Sequence, residues 1–190
     1  MRYLRFLLLF VISLLSLSAS AENIVDRAAR KANSAAALTA GFVVDGKRAS
    51  LTVSGVRYAI VSPDMKIYYD GSTQWTYVPA DAEVTLTRPT ADEQAQVNPL
   101  AILTTLRHNF KVVVQGNKAT FTPKDPAKSD VQRIVATFDS TTSWPVSVSV
   151  TSQGQTIRVT DIRVTAGSTQ PAASAFKFTA PKGITIIDLR

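Results

Sequence analysis

Few side chains in this sequence are suited to covalent or metal chemistry. The chain contains no cysteine and a single histidine, His108. The lack of cysteine excludes thiol nucleophiles, thiolate metal sites and thiol redox motifs. A single histidine excludes a multi-histidine zinc site, and any Ser-His-Asp triad would have to use His108. No nucleophile elbow, phosphate-binding loop or dinucleotide-binding glycine motif is present. His108 lies at the polar end of a short predicted helix, and a surface or capping role is the simplest interpretation.

The carboxylates that stand out also favour structural roles. Asp70 precedes Gly71, a pair typical of a tight turn. Asp92 and Glu93 follow Thr90 and fit the charged first turn of a helix, in which Thr90 and Glu93 would form a capping box. Two acidic residues do not by themselves make a glycosidase pair. We therefore predict no catalytic residue, no metal site and no cofactor.

The charge balance is moderately basic, with 21 Lys and Arg against 14 Asp and Glu. The cations are scattered along the chain and are not interleaved with aromatic residues, so no nucleic-acid partner is predicted. A mild attraction to anionic lipid headgroups and an ordinary soluble surface both fit this charge, and we favour the ordinary surface.

The N-terminus has the pattern of a secretory signal peptide. A basic start is followed by an almost wholly apolar run over residues 6–17 and by the small residues Ala19-Ser20-Ala21. We expect cleavage after residues 1–21 and a single domain over residues 22–190. The apolar run is too short to span a bilayer comfortably. No cysteine lies at the cleavage point, so no lipid anchor is expected there.

The elements that follow are predicted from hydrophobic periodicity. Residues 23–37 have the composition and apolar spacing of an amphipathic helix. From Leu38 onward, short runs rich in Val, Ile, Thr and Tyr alternate with turn residues, which predicts consecutive strands. The expected strands are 38–44, 48–53, 56–62, 65–69, 73–78, 83–87, 110–115, 118–122, 131–138, 146–151 and 156–164.

The alternation within each strand predicts one predominantly apolar face. Large apolar residues recur at every second position, and we expect them to share one side of the sheet. A change of parity near Thr160-Asp161 calls for a bulge there. Asn98-Pro99 starts a short, strongly apolar helix between two strands. The fold prediction is a mainly β (α+β) protein: a curved, half-open antiparallel sheet or barrel of about eleven strands, covered by short helices.

Three motifs, taken in order, resemble the periplasmic outer-membrane lipoprotein carrier proteins, the LolA-like family. Residues 70–79, DGSTQWTYVP, resemble the family's D-G-x-T-x-W-x-Y-x-P segment. Residues 98–103, NPLAIL, are similar to the short helix that follows it. Residues 176–188 resemble its closing F-x-F-x-P-P-x-G-V-x-V-x-D element. The order and spacing of the motifs agree along nearly the whole of residues 22–190.

This resemblance implies a fold, a function and a set of partners. The family has a half-open β-barrel closed by a helical lid, and its apolar interior receives the acyl chains of lipoproteins. The lipoprotein comes from an inner-membrane ABC release complex and passes to an outer-membrane acceptor without covalent chemistry. We accordingly expect a periplasmic, monomeric carrier of acylated lipoproteins.

The resemblance also implies roles for particular residues. The lid would carry Leu100, Ile102, Leu103 and Leu106. Arg57 is the nearest equivalent of an arginine that latches the family's lid, although the neighbouring proline is missing and its parity is opposite to that of Tyr58. The acyl-chain cavity would be lined by Leu51, Val53, Tyr58, Ile60, Ile67, Tyr69, Trp75, Tyr77, Val84 and Leu86.

Two other functions remain open from the sequence. The first is a periplasmic regulator that senses lipoproteins or lipids with the same fold, although such proteins usually add a second domain for which residues 22–190 leave no room. The second is an envelope hydrolase, which needs a nucleophile or carboxylate pair in the cleft. Full activity in a His108→Ala variant would remove its histidine-dependent form.

Overall fold

The computed structural model describes residues 22–90 and 109–190, which form a mainly β structure with one α-helix. No helix within these two ranges is long and apolar enough to cross a membrane. The helix is α1 (Ile24–Ser34), and the strands are β1 (Ala37–Val44), β2 (Lys47–Ser54), β3 (Arg57–Val61), β4 (Lys66–Tyr69), β5 (Gln74–Val78), β6 (Glu83–Thr87), β7 (Phe110–Gln115), β8 (Lys118–Pro123), β9 (Val131–Phe138), β10 (Pro145–Ser152), β11 (Gln155–Gly167) and β12 (Thr185–Asp188).

The strands form one sheet that does not close. Its order is β12-β6-β5-β4-β3-β2-β1-β11-β10-β9-β8-β7. Two antiparallel meanders, β1–β6 and β7–β11, meet where β1 pairs with β11, and among these twelve strands only β12 pairs in parallel, with β6. The predicted fold class is confirmed, with twelve strands in place of about eleven. The added strand is β12, which lies within the segment predicted as short extended pieces.

The predicted bulge in β11 is confirmed by the pairing of β1 with β11. Gly41 lies opposite Arg163, whereas Val43 lies opposite Thr160, so β11 contains one extra residue over this stretch. Asp161 has a φ of 51°, which is the left-handed conformation. Beyond the bulge, the side chains of β11 return to the parity that matches β1.

Helix α1 begins at a side-chain cap. The Asn23 side-chain oxygen accepts a hydrogen bond from the Asp26 N–H at 3.0 Å. The helix ends at Ser34, earlier than the predicted residue 37, because Ala35 is already extended and leads into β1. Its apolar residues Ile24, Val25 and Ala28 are buried in a cluster with side chains of β7–β9, namely Phe110, Ala119, Phe121, Ala136 and Phe138.

The loop between β9 and β10 fixes α1 at this place. Arg27 Nε donates to Ser143 Oγ at 3.2 Å, and Lys31 Nζ donates to the Thr142 carbonyl oxygen at 2.6 Å. Asp139 organises the loop by accepting the N–H groups of Thr142 and Thr141. The Thr142 hydrogen bonds are the main reason that the pKa of Asp139 lies below its ordinary value.

The two sides of the sheet have different covers. We call the side that packs against α1 the helix face. The other side, which we call the tail face, is covered over β3–β5 by residues 173–178. Phe176 in this segment is fully buried, and the Phe178 ring lies 5.0 Å from the ring of Tyr77 and 6.0 Å from that of Tyr68. The sheet is therefore packed on its helix face near one edge and on its tail face near the other.

Candidate functional site

The strand register brings six of the ten predicted cavity residues together on the helix face. Two rows cross β2, β3 and β4. The first row consists of Val53, Tyr58 and Tyr69, each opposite the next. The second row consists of Leu51, Ile60 and Ile67. These six side chains make a contiguous apolar patch, since paired residues on neighbouring strands lie only about 5 Å apart.

The other four predicted cavity residues lie on the tail face. Trp75 is opposite Tyr68 on β4, and Tyr77 contacts Phe178 of the covering segment. The expectation that all ten share one face is therefore wrong for Trp75, Tyr77, Val84 and Leu86. The physical reason is the β4–β5 hairpin, in which Tyr69 is opposite Gln74, so Trp75 takes the other side. Of these four side chains, Tyr77 contacts Phe178 of the covering segment, and Val84 and Leu86 lie on β6 opposite Ile186 and Asp188 of the edge strand β12.

Burial varies across the helix-face patch. Val53, Tyr58 and Tyr69 are buried, with exposed fractions of 1%, 0% and 4%. Leu51, Ile60 and Ile67 are only half-buried. The first row thus belongs to the packed core, whereas the second row retains accessible apolar surface.

The two tyrosines of the buried row, Tyr58 and Tyr69, contact each other, and Tyr58 also makes a hydrogen bond. Their rings lie 5.2 Å apart and are tilted by 34°. The Tyr58 hydroxyl donates to the Gln74 side-chain oxygen at 2.6 Å. Burial, with a further contribution from the charge of Asp70, raises the pKa of Tyr69. Its phenol is therefore neutral at physiological pH, and it presents an uncharged surface.

Further apolar residues on the same face were missed by the sequence interpretation. Phe42 and Val44 on β1 extend the helix face beyond β2, and Val44 is opposite Val159 on β11. Val159 in turn is opposite Val148, which packs against the α1 cluster. The apolar surface is therefore continuous from β4 across β1 to α1. A signal was available in the sequence, because apolar residues occupy every second position along β1, at 38, 40, 42 and 44, although Val43 on the other face is apolar as well.

The helix face becomes polar at β5 and β6. Gln74 and Thr76 of β5 occupy this face, and Thr76 lies between Ile67 and Thr85 in the cross-strand row. The apolar patch therefore has a defined limit at β4 and does not extend to the β6 edge of the sheet.

Arg57 lies on the tail face. Its Nη2 donates to the Gln170 side-chain oxygen at 3.2 Å, and its guanidinium carbon lies 4.9 Å from the centre of the Phe176 ring. The expected parity, opposite to that of Tyr58, is therefore observed. The role of Arg57 as a lid latch stays a prediction. The predicted lid residues and the single histidine lie outside the described residues; these are Leu100, Ile102, Leu103, Leu106 and His108.

Asp70 has the structural partners that the sequence predicts for it. It accepts the N–H groups of Ser72 and Thr73, both at 3.0 Å, as expected for a turn. Burial opposes the ionisation of Asp70, but these hydrogen bonds and the charge of Lys177 outweigh it and lower its pKa. Within residues 22–90 and 109–190, no three metal-ligating side chains lie close enough together to hold an ion.

Comparison with known families identifies the group to which this sequence is related. Residues 13–155 match the model of a family described as outer membrane lipoprotein carrier protein LolA. The chain belongs to this LolA family. The resemblance drawn from the sequence motifs is therefore confirmed, although the closing motif at residues 176–188 lies beyond the matched range. No curated protein sequence matches the chain significantly.

Several solved structures match the chain at low sequence identity. An uncharacterised conserved protein from Thermus thermophilus superimposes with a TM-score of 0.56 and 9% identity, over 89% of this chain and 99% of the other. A LolA superfamily protein from Nitrosomonas europaea has a TM-score of 0.38 and 8% identity, over 82% and 96% of the two chains. The lipoprotein LppX from Mycobacterium tuberculosis has a TM-score of 0.44 and 12% identity, over 72% and 90%.

Proposed function

We propose that this LolA-family protein is a periplasmic carrier that binds the acyl chains of lipoproteins and transfers them from the inner to the outer membrane. Its partners in this role are acylated lipoproteins, an inner-membrane ABC release complex and an outer-membrane acceptor. The role requires binding and release and no covalent catalysis. The signal-peptide pattern of residues 1–21, which lie outside the described part of the chain, supports the periplasmic location.

The observation that carries the proposal is the accessible apolar surface on the helix face. Leu51, Ile60 and Ile67 are half-buried, and the apolar surface continues through Phe42 and Val44 toward α1. Each methylene group of a lipid that leaves water for such a surface contributes about 0.8 kcal/mol. A surface of this kind therefore gains binding energy in proportion to acyl length, without any specific chemical group.

Neighbouring residues on β3 provide a matched test of which face binds the acyl chains. Ile60 lies on the helix face and Val61 on the tail face, and both are half-buried. We compare the Ile60→Glu and Val61→Glu variants, recovered from the periplasm of an expressing bacterium. Bound acyl species are extracted and quantified by mass spectrometry. We expect the wild type and Val61→Glu to retain acyl species, and Ile60→Glu to lose at least about tenfold, because a carboxylate is costly to bury against hydrocarbon.

Folding must be separated from binding in this comparison. Urea unfolding of both variants shows whether they are folded, and the milder Ile60→Gln variant replaces Ile60→Glu where the latter unfolds. Wild-type protein that carries no acyl species, and acquires none from membranes, would contradict the carrier function. Equal retention by folded Ile60 and Val61 variants would contradict the assignment of the helix face.

A further inference from the structure

Among the described residues, few cover the tail face of β1, β2 and β7–β11, and this part of the face carries several cations. Residues 173–178 contact β3–β5, and most tail-face residues of these seven strands are exposed or half-buried. Seven cations and one carboxylate, Asp161, occur on these seven strands. Six of the cations point to the tail face, and we call them the basic surface: Arg48, Lys111, Lys118, Arg133, Arg158 and Arg163.

The register shows how the basic surface is arranged. Arg158 is opposite Ser149, and Arg133 is opposite Thr151 on the intervening strand β10. The Thr151 and Thr156 hydroxyl groups lie 3.0 Å apart, so a hydroxyl-lined row connects these positions. The cations are thus spread over a broad sheet surface with small hydroxyl side chains between them.

The cations of the basic surface are available to an external anion. All six residues are exposed. Among the described residues, none of the six makes an ion pair with a carboxylate. Asp161 at the bulge and Asp45 in the β1–β2 turn are the nearby acidic residues along β1 and β11, and they leave a clear excess of positive charge. Isolated cations on a soluble surface are ordinary, but a cationic set confined to one face of a sheet is a favourable surface for an extended anion.

We propose that the basic surface docks this protein on anionic phospholipid membranes. The charge complementarity and the breadth of the surface favour a membrane over a compact ligand. No aromatic side chain occurs on the tail face of these seven described strands, so the stacking platform of a single-strand nucleic-acid site is lacking there. The exposed apolar residue Val113 is flanked by Lys111 on the same face. Contact is therefore electrostatic, reversible and sensitive to salt. The surface lies opposite the helix face, and its docking does not depend on the proposed acyl binding.

Vesicle flotation with a charge-matched pair of double variants tests the proposal. The protein is recovered from the periplasm, and its N-terminus is checked by mass spectrometry. Arg133→Gln/Arg158→Gln removes two charges from the basic surface. Lys47→Gln/Lys182→Gln removes two exposed charges elsewhere, since Lys47 lies on the helix face and Lys182 precedes β12, the edge strand at the other end of the sheet from β7. Binding is measured to vesicles of phosphatidylcholine alone and of phosphatidylcholine with about 30 mol% phosphatidylglycerol.

We expect the wild type to bind the anionic vesicles and not the neutral ones, with weaker binding as salt rises from about 0.05 M to about 0.5 M. Each cation near an anionic membrane contributes about a fivefold gain in affinity, so the double variant on the basic surface should bind about 25-fold more weakly. The control double variant should change by less than about threefold. Acyl retention by the basic-surface variant should equal that of the wild type.

Three results would overturn the proposal. The first is wild-type binding that is absent at low salt or equal on neutral and anionic vesicles. The second is an equal loss of vesicle affinity in both double variants, which would show that binding depends on the net charge of the protein and not on one face of the sheet. The third is unchanged binding in the basic-surface variant. Failure of acyl retention in the wild type would contradict the carrier function and leave these vesicle results unaffected.

Discussion

The contact between Arg57 and Phe176 anchors the C-terminal segment to the sheet. We predict that the two side chains are coupled by a measurable interaction free energy. The guanidinium carbon lies 4.9 Å from the ring centre, and Phe176 is fully buried. Arg57 is half-buried, so a cation–π contribution of about 0.5–1 kcal/mol is expected. Truncation of the whole ring by Phe176→Ala should cost about 3–5 kcal/mol, as for other buried phenylalanines.

A double-mutant cycle isolates the coupling from the loss of packing. Phe176→Leu removes the aromatic face while it keeps most of the apolar volume, and Arg57→Ala removes the cation. Free energies of unfolding come from urea titration followed by tryptophan fluorescence, to which both Trp75 on the same tail face and Trp144 contribute. We expect the single variants and the double variant to give a coupling of about 0.5–1 kcal/mol. Phe178→Ala is the matched aromatic control, and it should cost less than Phe176→Ala because Phe178 is only half-buried.

The Arg57→Ala variant also shows which part of the fold is stabilised by the contact between Arg57 and Phe176. Strand β12 follows the covering segment, and it is joined to the β6 region by hydrogen bonds from the Thr185 N–H to the Ala82 carbonyl and from the Leu189 N–H to the Leu86 carbonyl. Hydrogen exchange of these two amides should quicken in Arg57→Ala, while amides of the β1–β2 pairing stay protected. Acyl retention should be unchanged, because Arg57 points away from the helix face.

Two outcomes would refute this reasoning. A coupling below about 0.2 kcal/mol would mean that the geometry of Arg57 over the Phe176 ring contributes nothing specific. Loss of bound acyl species in Arg57→Ala, with the exchange of β12 unchanged, would instead favour the lid-latch role that the family resemblance implies.

Two further predictions concern the polypeptide near β6 and β12. Arg190 donates hydrogen bonds to both carboxylate oxygens of Asp188, and these lower the pKa of Asp188 from 3.8 to about 2. The contribution of Asp188 to the free energy of unfolding is therefore complete above about pH 4, and it is lost as the pH falls through about 2. Asp188→Asn should therefore lower the urea midpoint at neutral pH, and the difference from wild type should vanish as the pH falls below about 2; a difference that persists well below that pH would contradict the assignment. Ala82 has a φ of 51°, so Ala82→Gly should stabilise the protein by about 1 kcal/mol, whereas Ala80→Gly in the adjacent turn should not. Thermal unfolding of the two glycine variants measures the difference, and equal effects would show that the left-handed backbone at Ala82 is unstrained.

The strands and the bulge were predictable because each depends on local sequence. Alternation of apolar and polar residues set the strand positions to within a residue or two at most ends, and the parity change at Thr160-Asp161 located the bulge. The position of β12 was less accessible. Residues 185–188 have strand-forming composition, but their parallel pairing with β6 depends on how residues 173–178 cross the tail face. That path is a tertiary property, set by the burial of Phe176.

The predicted site residues are divided between the two faces of the sheet. Alternation within a strand shows which residues share a face, but it does not show which of the two faces that is. Strand β4 has Tyr68 and Tyr69 side by side, so one large aromatic residue lies on each face whichever way the strand is oriented. The face of the next strand then depends on the hairpin, and the pairing of Tyr69 with Gln74 sends Trp75 to the tail face. A hairpin shifted by one residue would reverse this outcome, and the sequence pattern of β5 alone fits both.

This exchange of faces has a consequence for the proposed carrier function. On β2–β4 the half-buried apolar row lies on the helix face, whereas on β5 the large aromatic residues lie beneath the C-terminal segment, and Thr76 takes the helix-face position beside Ile67. Acyl chains that bind the helix face therefore meet a polar boundary at β5. The apolar path runs instead through Phe42 and Val44 toward α1, so substitutions on β1 should affect acyl retention more than equivalent substitutions at Trp75. The amphipathic pattern of β5 and β6 accordingly contributes to the stability of the tail face, and the proposed acyl-binding surface is confined to β1–β4, β10 and β11.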